Sequence, residues 1–241
     1  FKEVCDKLSK NQVDYGIIAI ENKVAGSILM NYQLIDSYNL KIKGEIYLPI
    51  ELQLLGKKGV KIEDVKEIIS HPMALGQSQL FLSNLEGVLV SEFKDTATSA
   101  TLVKEDPSNH LAVIAGPKVG EEYGLEVIEE NVADEKINFT RFYILSKGTD
   151  VEEYPTKASI SLQTHNQVGG LSDVLSVLKQ AKLNLTKIQS VPIINNPSSY
   201  AFHLDIEFED KEVFDNTMIE LKNIAESLKV LGVYKGESLP N

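Results

Sequence analysis

Ile42-Lys43-Gly44-Glu45-Ile46-Tyr47-Leu48-Pro49-Ile50-Glu51-Leu52-Gln53-Leu54 is the stretch from which the fold can be read. Its even positions 42, 46, 48, 50, 52 and 54 are apolar, a period of two that predicts one long strand crossing between two lobes. On either side of it, strand-like and helix-like patterns alternate. Phe1, Val4, Cys5 and Leu8 recur at helical spacing, and Tyr15 to Ile20 is a short apolar run suited to a strand buried on both faces. Further strands are expected at 65–70, 88–93, 111–115 and 139–145. Pro72 opens a helix predicted to reach Leu82, and a second helix fills 95–104. Such alternation predicts an α/β domain with helices on both faces of its sheet.

A polar linker with Gly and Pro, residues 148–156, separates this domain (1–147) from a second one, 157–241. Ala158, Ile160 and Leu162 alternate as a strand, and Leu171, Val174, Leu175 and Leu178 mark a helix face. Strands at 185–191 and 202–208, a helix through Phe214, Met218, Leu221, Ala225 and Leu228, and a last strand at 230–234 complete the order βαββαβ. That is a ferredoxin-like α+β unit with an antiparallel sheet. Its helices cover one sheet face, so the other face is expected to dimerise.

The net charge of −11 supplies no basic stripe for phosphates, so no nucleic-acid partner is expected. No apolar run approaches the roughly 20 residues of a bilayer span, and no signal peptide is visible, so no membrane association is expected. A single cysteine, Cys5, excludes an internal disulfide framework and fits a reducing cytoplasm; on the apolar face of a helix it reads as core.

Polar groups gather at the ends of four predicted elements: Glu21-Asn22 through Ser27, Ser70-His71-Pro72 with Gln77, Asp95-Thr96-Ala97, and Asn138-Phe139-Thr140-Arg141-Phe142. The strand-to-helix junctions among them are where open α/β sheets bind ligands. Arg141 is the only arginine in the chain, a fixed cation with a fork matched to carboxylates. Singly, each segment also has a plain structural reading. Ser70 could cap its helix, Gln77 could face solvent, and Arg141 could sit in an ordinary surface ion pair. There is no metal-ligand spacing, no glycine-rich phosphate loop and no nucleophile elbow.

Taken in order, these segments resemble the prephenate dehydratase family. The matching stretches are Asp14-Tyr15-Gly16 to Asn22, Gly26-Ser27, Gly44-Glu45, Ser70-His71-Pro72 with Gln77, Asp95-Thr96-Ala97, Tyr123-Gly124-Leu125 and Asn138 to Phe142. The second domain resembles that family's regulatory ACT domain, with its turn at Gly169-Gly170-Leu171 after His165 and Asn166. The resemblance implies a bilobal catalytic domain of type II periplasmic-binding-protein form, its cleft between lobes, one lobe spanning roughly Leu48 to Glu130. It implies loss of carbon dioxide and water from prephenate to give phenylpyruvate, without metal or cofactor. Thr140 would serve the leaving hydroxyl; Glu21, Asn22, Ser70 and Gln77 would complete the catalytic set. Arg141, Asn138, Thr96 and Ser27 would bind substrate, Arg141 through a carboxylate.

The resemblance further implies feedback by L-phenylalanine. The effector would be held by Gly169, Gly170 and Leu171, with Asn184, Leu185, Gln189, Ser190, Val191 and Pro192, in a homodimer or tetramer joined through the ACT domain. Where the family often has Glu-Ser-Arg-Pro, this chain has Gln189-Ser190-Val191-Pro192, which puts the strength of inhibition in question. The family's usual opening strand and glycine-rich loop would precede Phe1, and Lys23 stands where Ser or Thr is common. Competing readings are a solute-binding protein, a non-catalytic amino-acid sensor and an arogenate dehydratase.

Overall fold

The computed structural model describes residues 1–148, 152–165, 167–193 and 196–239. Asn166 and part of the linker therefore lie outside the described residues. The chain divides into two compact units, one made of Phe1–Leu48 with Thr140–Pro240, the other of Pro49–Phe139.

The chain begins with α1 (Lys2–Ser9), β1 (Gly16–Asn22), β2 (Gly26–Ser27), α2 (Leu29–Ser37) and β3 (Lys41–Pro49). α2 escaped the sequence reading because its apolar residues do not form one clean stripe; Asn31, buried on it, donates its amide to the Ala19 carbonyl at 2.6 Å. The stretch from Ile42 to Leu54 is not one strand. β3 stops at Pro49, which has no N–H to extend a ladder, and β4 (Gln53–Gly56) starts afresh in a different sheet. The alternation does not carry through as burial: in β3 Ile46 and Leu48 are exposed, at 38% and 54%, and Glu45 is buried instead. Ile42 enters the core of the first unit, and Leu52 and Leu54 enter that of the second.

The second unit continues with β5 (Glu67–Ser70), α3 (Pro72–Gly76), α4 (Gln79–Ser83), β6 (Leu89–Glu92), α5 (Thr96–Glu105), β7 (Leu111–Ala115), α6 (Pro117–Tyr123) and β8 (Glu126–Glu129). Its strands lie in the order β6-β5-β7-β4-β8, with β5, β6 and β7 parallel and β4 antiparallel to both its neighbours. Adjacent residues feed opposite faces, as a pleated strand requires. Leu54, Ile68 and Ile114 pack with Ala74 and Leu75 of α3, while Leu55, Ile69 and Val113 pack with Ala100 and Val103 of α5. The sheet is thus covered on both faces, as the strand–helix alternation predicts. The single helix expected from Pro72 to Leu82 is in fact two. Asp134 accepts from the backbone N–H groups of Gln79 and Leu80, both at 2.9 Å, and so starts a fresh helix there.

The chain returns to the first unit through β9 (Phe139–Ser146), completing the sheet β2-β1-β9-β3. β10 (Lys157–Thr164), α7 (Gly170–Gln180), β11 (Asn184–Ile193), β12 (Asn196–Glu207), α8 (Lys211–Ile224) and β13 (Ala225–Tyr234) follow in the expected βαββαβ order. The sheet runs β11-β12-β10-β13, antiparallel throughout. One face, with Ile160, Leu162, Leu204 and Ile206, packs on Val174 and Leu178 of α7 and Phe214 and Leu221 of α8.

The opposite face corrects an expectation. It does not wait for a partner subunit but lies against the first sheet of the same unit. Val191, Leu231 and Tyr234 share a core with Cys5, Ile18, Ile35, Ile42 and Tyr143. The polar members of the alternating strands, Lys157, Ser159, Ser161, His203 and Asp205, are buried there. This is why compactness groups the C-terminal βαββαβ segment with residues 1–48 rather than setting it apart at the linker. The two backbones meet closely enough that a Cβ on Gly232 would stand 2.1 Å from the Ile42 carbonyl oxygen. Gly232→Ala must therefore push backbone from backbone, and we expect it to destabilise the protein by about 2–3 kcal/mol. Gly16→Ala meets only side-chain ends of Val4 and Leu8 and should cost about 1 kcal/mol or less. Urea unfolding midpoints of the two variants test this ordering.

Candidate active site

Strand geometry decides what the Thr140-Arg141 pair can do. Successive strand residues point to opposite faces, so neighbours on β9 cannot both face one ligand. Thr140 pairs in register with Asn22 of β1, and Arg141 pairs with Glu21. Cross-strand partners share a face, which puts Thr140 with Asn22 on one side and Arg141 with Glu21 on the other.

On the Thr140 side, Asn22 is 8% exposed and closes a turn. Its Oδ1 accepts from the N–H groups of Val24 at 3.0 Å and Ala25 at 2.8 Å, the Asx arrangement favoured at such turns. With the carbonyl end so occupied, the amide has one orientation, and its Nδ2 donates to Thr140 Oγ1 at 3.1 Å. The Thr140 oxygen is thereby an acceptor for Asn22. Its own proton has no acceptor among the described residues, and a donor behind a hydroxyl makes that proton a better hydrogen-bond donor.

Arg141 is elsewhere. It is 4% exposed and sits inside a cluster of buried charges. Nε donates to Glu45 Oε2 at 2.7 Å, Nη2 donates to the same oxygen, and Nη1 meets Asp205 Oδ2 at 2.5 Å. Glu45 also takes Lys157 Nζ at 2.9 Å, and Asp205 accepts from Ser159 Oγ at 2.6 Å and Tyr143 Oη at 3.0 Å. Burial opposes the Arg141 charge, but Tyr143, Asp205, Tyr234 and Glu45 outweigh it and hold the guanidinium protonated. Burial likewise opposes the Asp205 carboxylate, yet Arg141, with help from Ser159 and Lys157, holds it below the usual carboxylate range. Burial and Asp205 push the Tyr143 hydroxyl well above its ordinary value. The expectation that Arg141 receives a substrate carboxylate is corrected: its fork is filled by Glu45 and Asp205, and the strand period turns it away from Thr140.

Glu21, a third exposed, forms an ion pair with Lys187 of β11 at 2.7 Å, and Ser27 Oγ accepts from the same ammonium at 3.0 Å. Both face the C-terminal sheet rather than the Thr140 side.

In the second unit, Asn138 Nδ2 donates to Gln77 Oε1 at 3.2 Å, so these two expected residues do meet. Ser70 is corrected. It is fully buried, and its hydroxyl donates to the Ile114 carbonyl of β7 at 2.6 Å. Its hydroxyl is thus engaged in the sheet and does not cap α3, whose cap is His71 Nδ1, accepting from Met73 N–H. Thr96 is the first residue of α5; the cap is Asp95, which accepts from the Thr98 N–H at 2.6 Å and is held below its ordinary value chiefly by that bond.

In the C-terminal part of the chain, Gly169, Gly170 and Leu171 line a pocket of about 320 Å³ with Gln163, Tyr200 and Glu226. Gly169 takes a left-handed conformation, φ 88°, which glycine adopts without strain. Asn184, Leu185, Gln189, Ser190, Val191 and Pro192 do not line this pocket. Asn184 donates to Glu207, Gln189 to the Ser190 carbonyl, and Val191 is buried in the core shared with β1 and β9. Val191 is corrected from effector contact to core residue.

Sequence reasoning missed Glu45, Lys157, Lys187 and Asp205. Glu45 and Asp205 both fall on the polar phase of an alternating strand, so each looked like its wet side. Removing one partner of a buried pair strands the other charge, which typically costs about 3–5 kcal/mol. We expect Asp205→Asn to destabilise the protein by that amount at neutral pH. Because the Asp205 pKa is depressed in the folded state, its stabilisation is complete above the unfolded carboxylate value and is lost as pH falls through the folded one. The gap between wild type and Asp205→Asn in melting temperature should thus hold from pH 7 to about 5 and close only below about 4.

The family model for prephenate dehydratase matches residues 1–150. The bifunctional chorismate mutase/prephenate dehydratase of Escherichia coli (strain K12) is 32% identical over 99% of this chain and 63% of its own length, so the chain spans less than two thirds of that relative. Among solved structures, the prephenate dehydratase from Arthrobacter aurescens in complex with L-Phe is 26% identical with a TM-score of 0.85, covering 97% of this chain and 79% of that one. GqqA, described as a novel type of quorum-quenching acylase, is 28% identical with a TM-score of 0.86, covering 98% of this chain and 87% of that one. With more than half its length matched by the family model, this chain belongs to the prephenate dehydratase family.

Proposed function

We propose that this protein converts prephenate to phenylpyruvate in the cytoplasm, under feedback by L-phenylalanine. The observation that carries this reading is the Thr140 hydroxyl, whose oxygen is occupied by Asn22 Nδ2 and whose proton is left to donate. The C–C bond to the ring carboxylate breaks and carbon dioxide departs. Its electron pair enters the ring as the ring C–O bond breaks, and the released hydroxide takes a proton to become water. Aromaticity drives the step, so the protein's task is to stabilise the departing oxygen. A threonine hydroxyl is a feeble acid and acts as a hydrogen-bond donor to developing charge rather than as the final proton source. Gln77, Asn138 and Thr96 keep the substrate-orienting role that family membership suggests; Arg141 and Ser70 do not.

An acyl-transfer reaction is less well served by this geometry. A nucleophilic threonine needs a base beside it, and the group beside Thr140 is an amide N–H with no lone pair to accept a proton.

The pocket at Gly169–Leu171 is the proposed phenylalanine site, with polar walls for an ammonium and a carboxylate and with Tyr200 and Phe202 for an aromatic ring. Assembly into a dimer or tetramer through the C-terminal domain belongs to the same reading, with β11 and β13 as the sheet edges. A coupling of about 1–3 kcal/mol between effector and substrate would give useful feedback.

The decisive assay is phenylpyruvate formation from prephenate, with arogenate as the parallel substrate and with phenylalanine added. Turnover of prephenate that phenylalanine suppresses is expected; absence of turnover with either substrate would sink the reading. Thr140→Ala should lower kcat by roughly 10²–10³ with an unchanged melting temperature, and Thr140→Ser should recover most of that loss. Wild-type kcat in Thr140→Ala would remove Thr140 from the chemistry.

A further inference from the structure

A lysine of the C-terminal sheet reaches the hairpin that carries Asn22. Lys187 lies on β11, its side chain only 11% exposed, its ammonium 6.0 Å above the centre of the Tyr32 ring. It bonds Glu21 Oε1 at 2.7 Å and Ser27 Oγ at 3.0 Å. Glu21 and Ser27 are directly opposed partners on β1 and β2. One ammonium therefore grips both strands of a hairpin whose β2 is two residues long. Between the two gripped positions lies the Asn22–Gly26 turn, closed by Asn22 Oδ1. Asn22 Nδ2 leaves that turn to meet Thr140.

We propose that Lys187 is a positioning residue for the reaction: it holds the β1–β2 hairpin so that Asn22 orients the Thr140 hydroxyl. The inference rests on the proposed role of Thr140. A two-residue strand contributes little pairing of its own. The Asx turn beside it runs from β1 into β2. Without the ammonium, Glu21 loses its ion pair and Ser27 loses the hydrogen bond from β11. Displacements of about 1 Å at a reacting group are enough to lower turnover by about a hundredfold. Because Lys187 is supplied by the C-terminal sheet, the reactive threonine is also held by the domain that carries the proposed effector pocket.

The test is Lys187→Met, which keeps the stem over Tyr32 and removes the charge, read by steady-state kinetics, thermal melting and amide hydrogen exchange. We expect kcat to fall by roughly ten- to a hundredfold with KM within about twofold, and melting near wild type. Exchange at Val24, Ala25 and Ile28 should accelerate about tenfold or more while α8 amides stay unchanged. Wild-type kcat overturns the proposal. So does faster exchange spread evenly into α8, which would make Lys187 a general structural residue. A wild-type protein that does not turn over prephenate would sink the proposed function instead. Exchange would then decide the clamp alone: local loss at 24, 25 and 28 supports it, and unchanged protection overturns it.

Discussion

The buried contact of Arg141 with Glu45 and Asp205 is the constraint around which the first unit is organised. Glu45 comes from β3, Arg141 from β9 and Asp205 from β12, so one guanidinium ties the N-terminal sheet to the C-terminal sheet. Burying two carboxylates and two cations is favourable only when every lone pair and proton is matched. Here Ser159, Tyr143 and Tyr234 complete the hydrogen bonds of Asp205 and Arg141, and the Glu237 N–H adds to those of Glu45. The need for a rigid planar fork explains why this position is arginine in a chain that otherwise uses lysine. Lys157, a point charge with a single close acceptor at Glu45, fills the simpler role beside it.

That cluster explains the character of the whole interface between the two sheets. Its contacts are polar as well as apolar: Asp36 meets His203 at 3.0 Å, and Lys41 donates to the Val230 carbonyl at 2.9 Å. A greasy face would admit several registers, whereas charges that must each find a partner admit one. Tyr234, Leu231 and Val191 contribute apolar burial, and the ion pairs set where it happens.

The order of elements was legible because hydrophobic period is a local signal. The βαββαβ order emerged, although Ala225 and Leu228, expected on the last helix, lie on β13, and β12 starts at Asn196 rather than 202; helices on both faces were expected from strand–helix alternation, with strands at 65–70 and 111–115. What failed was non-local. Period two at 42–54 could not reveal that Pro49 hands the chain from one sheet to another. The alternation of Phe202, Leu204 and Ile206 with His203 and Asp205 looked half-wet, since sequence does not say what covers a polar face. Asp134 restarting a helix at Gln79 lies 55 residues away from it. Within the candidate site, Asn22 and Thr140 were recognisable as residues; that they touch, and in which direction the hydrogen bond runs, needed the β1–β9 register.

The same register divides the work of one strand. Because Thr140 and Arg141 are neighbours on β9, any chemistry at the first and any anchoring at the second occur on opposite faces and cannot compete for one ligand. The arrangement has a mechanical consequence. Thr140 cannot shift without moving the peptide that holds Arg141, and Arg141 is fixed through Asp205 to β12, beside β10, whose end leads into the Gly169–Leu171 turn. A stiff strand with one face in the charge cluster and the other bearing the Thr140 hydroxyl transmits displacement with little loss, since packed interiors resist gradual deformation. Under the proposed function, feedback would need no long relay: Thr140 and the residue that anchors the C-terminal sheet are joined by a single peptide bond.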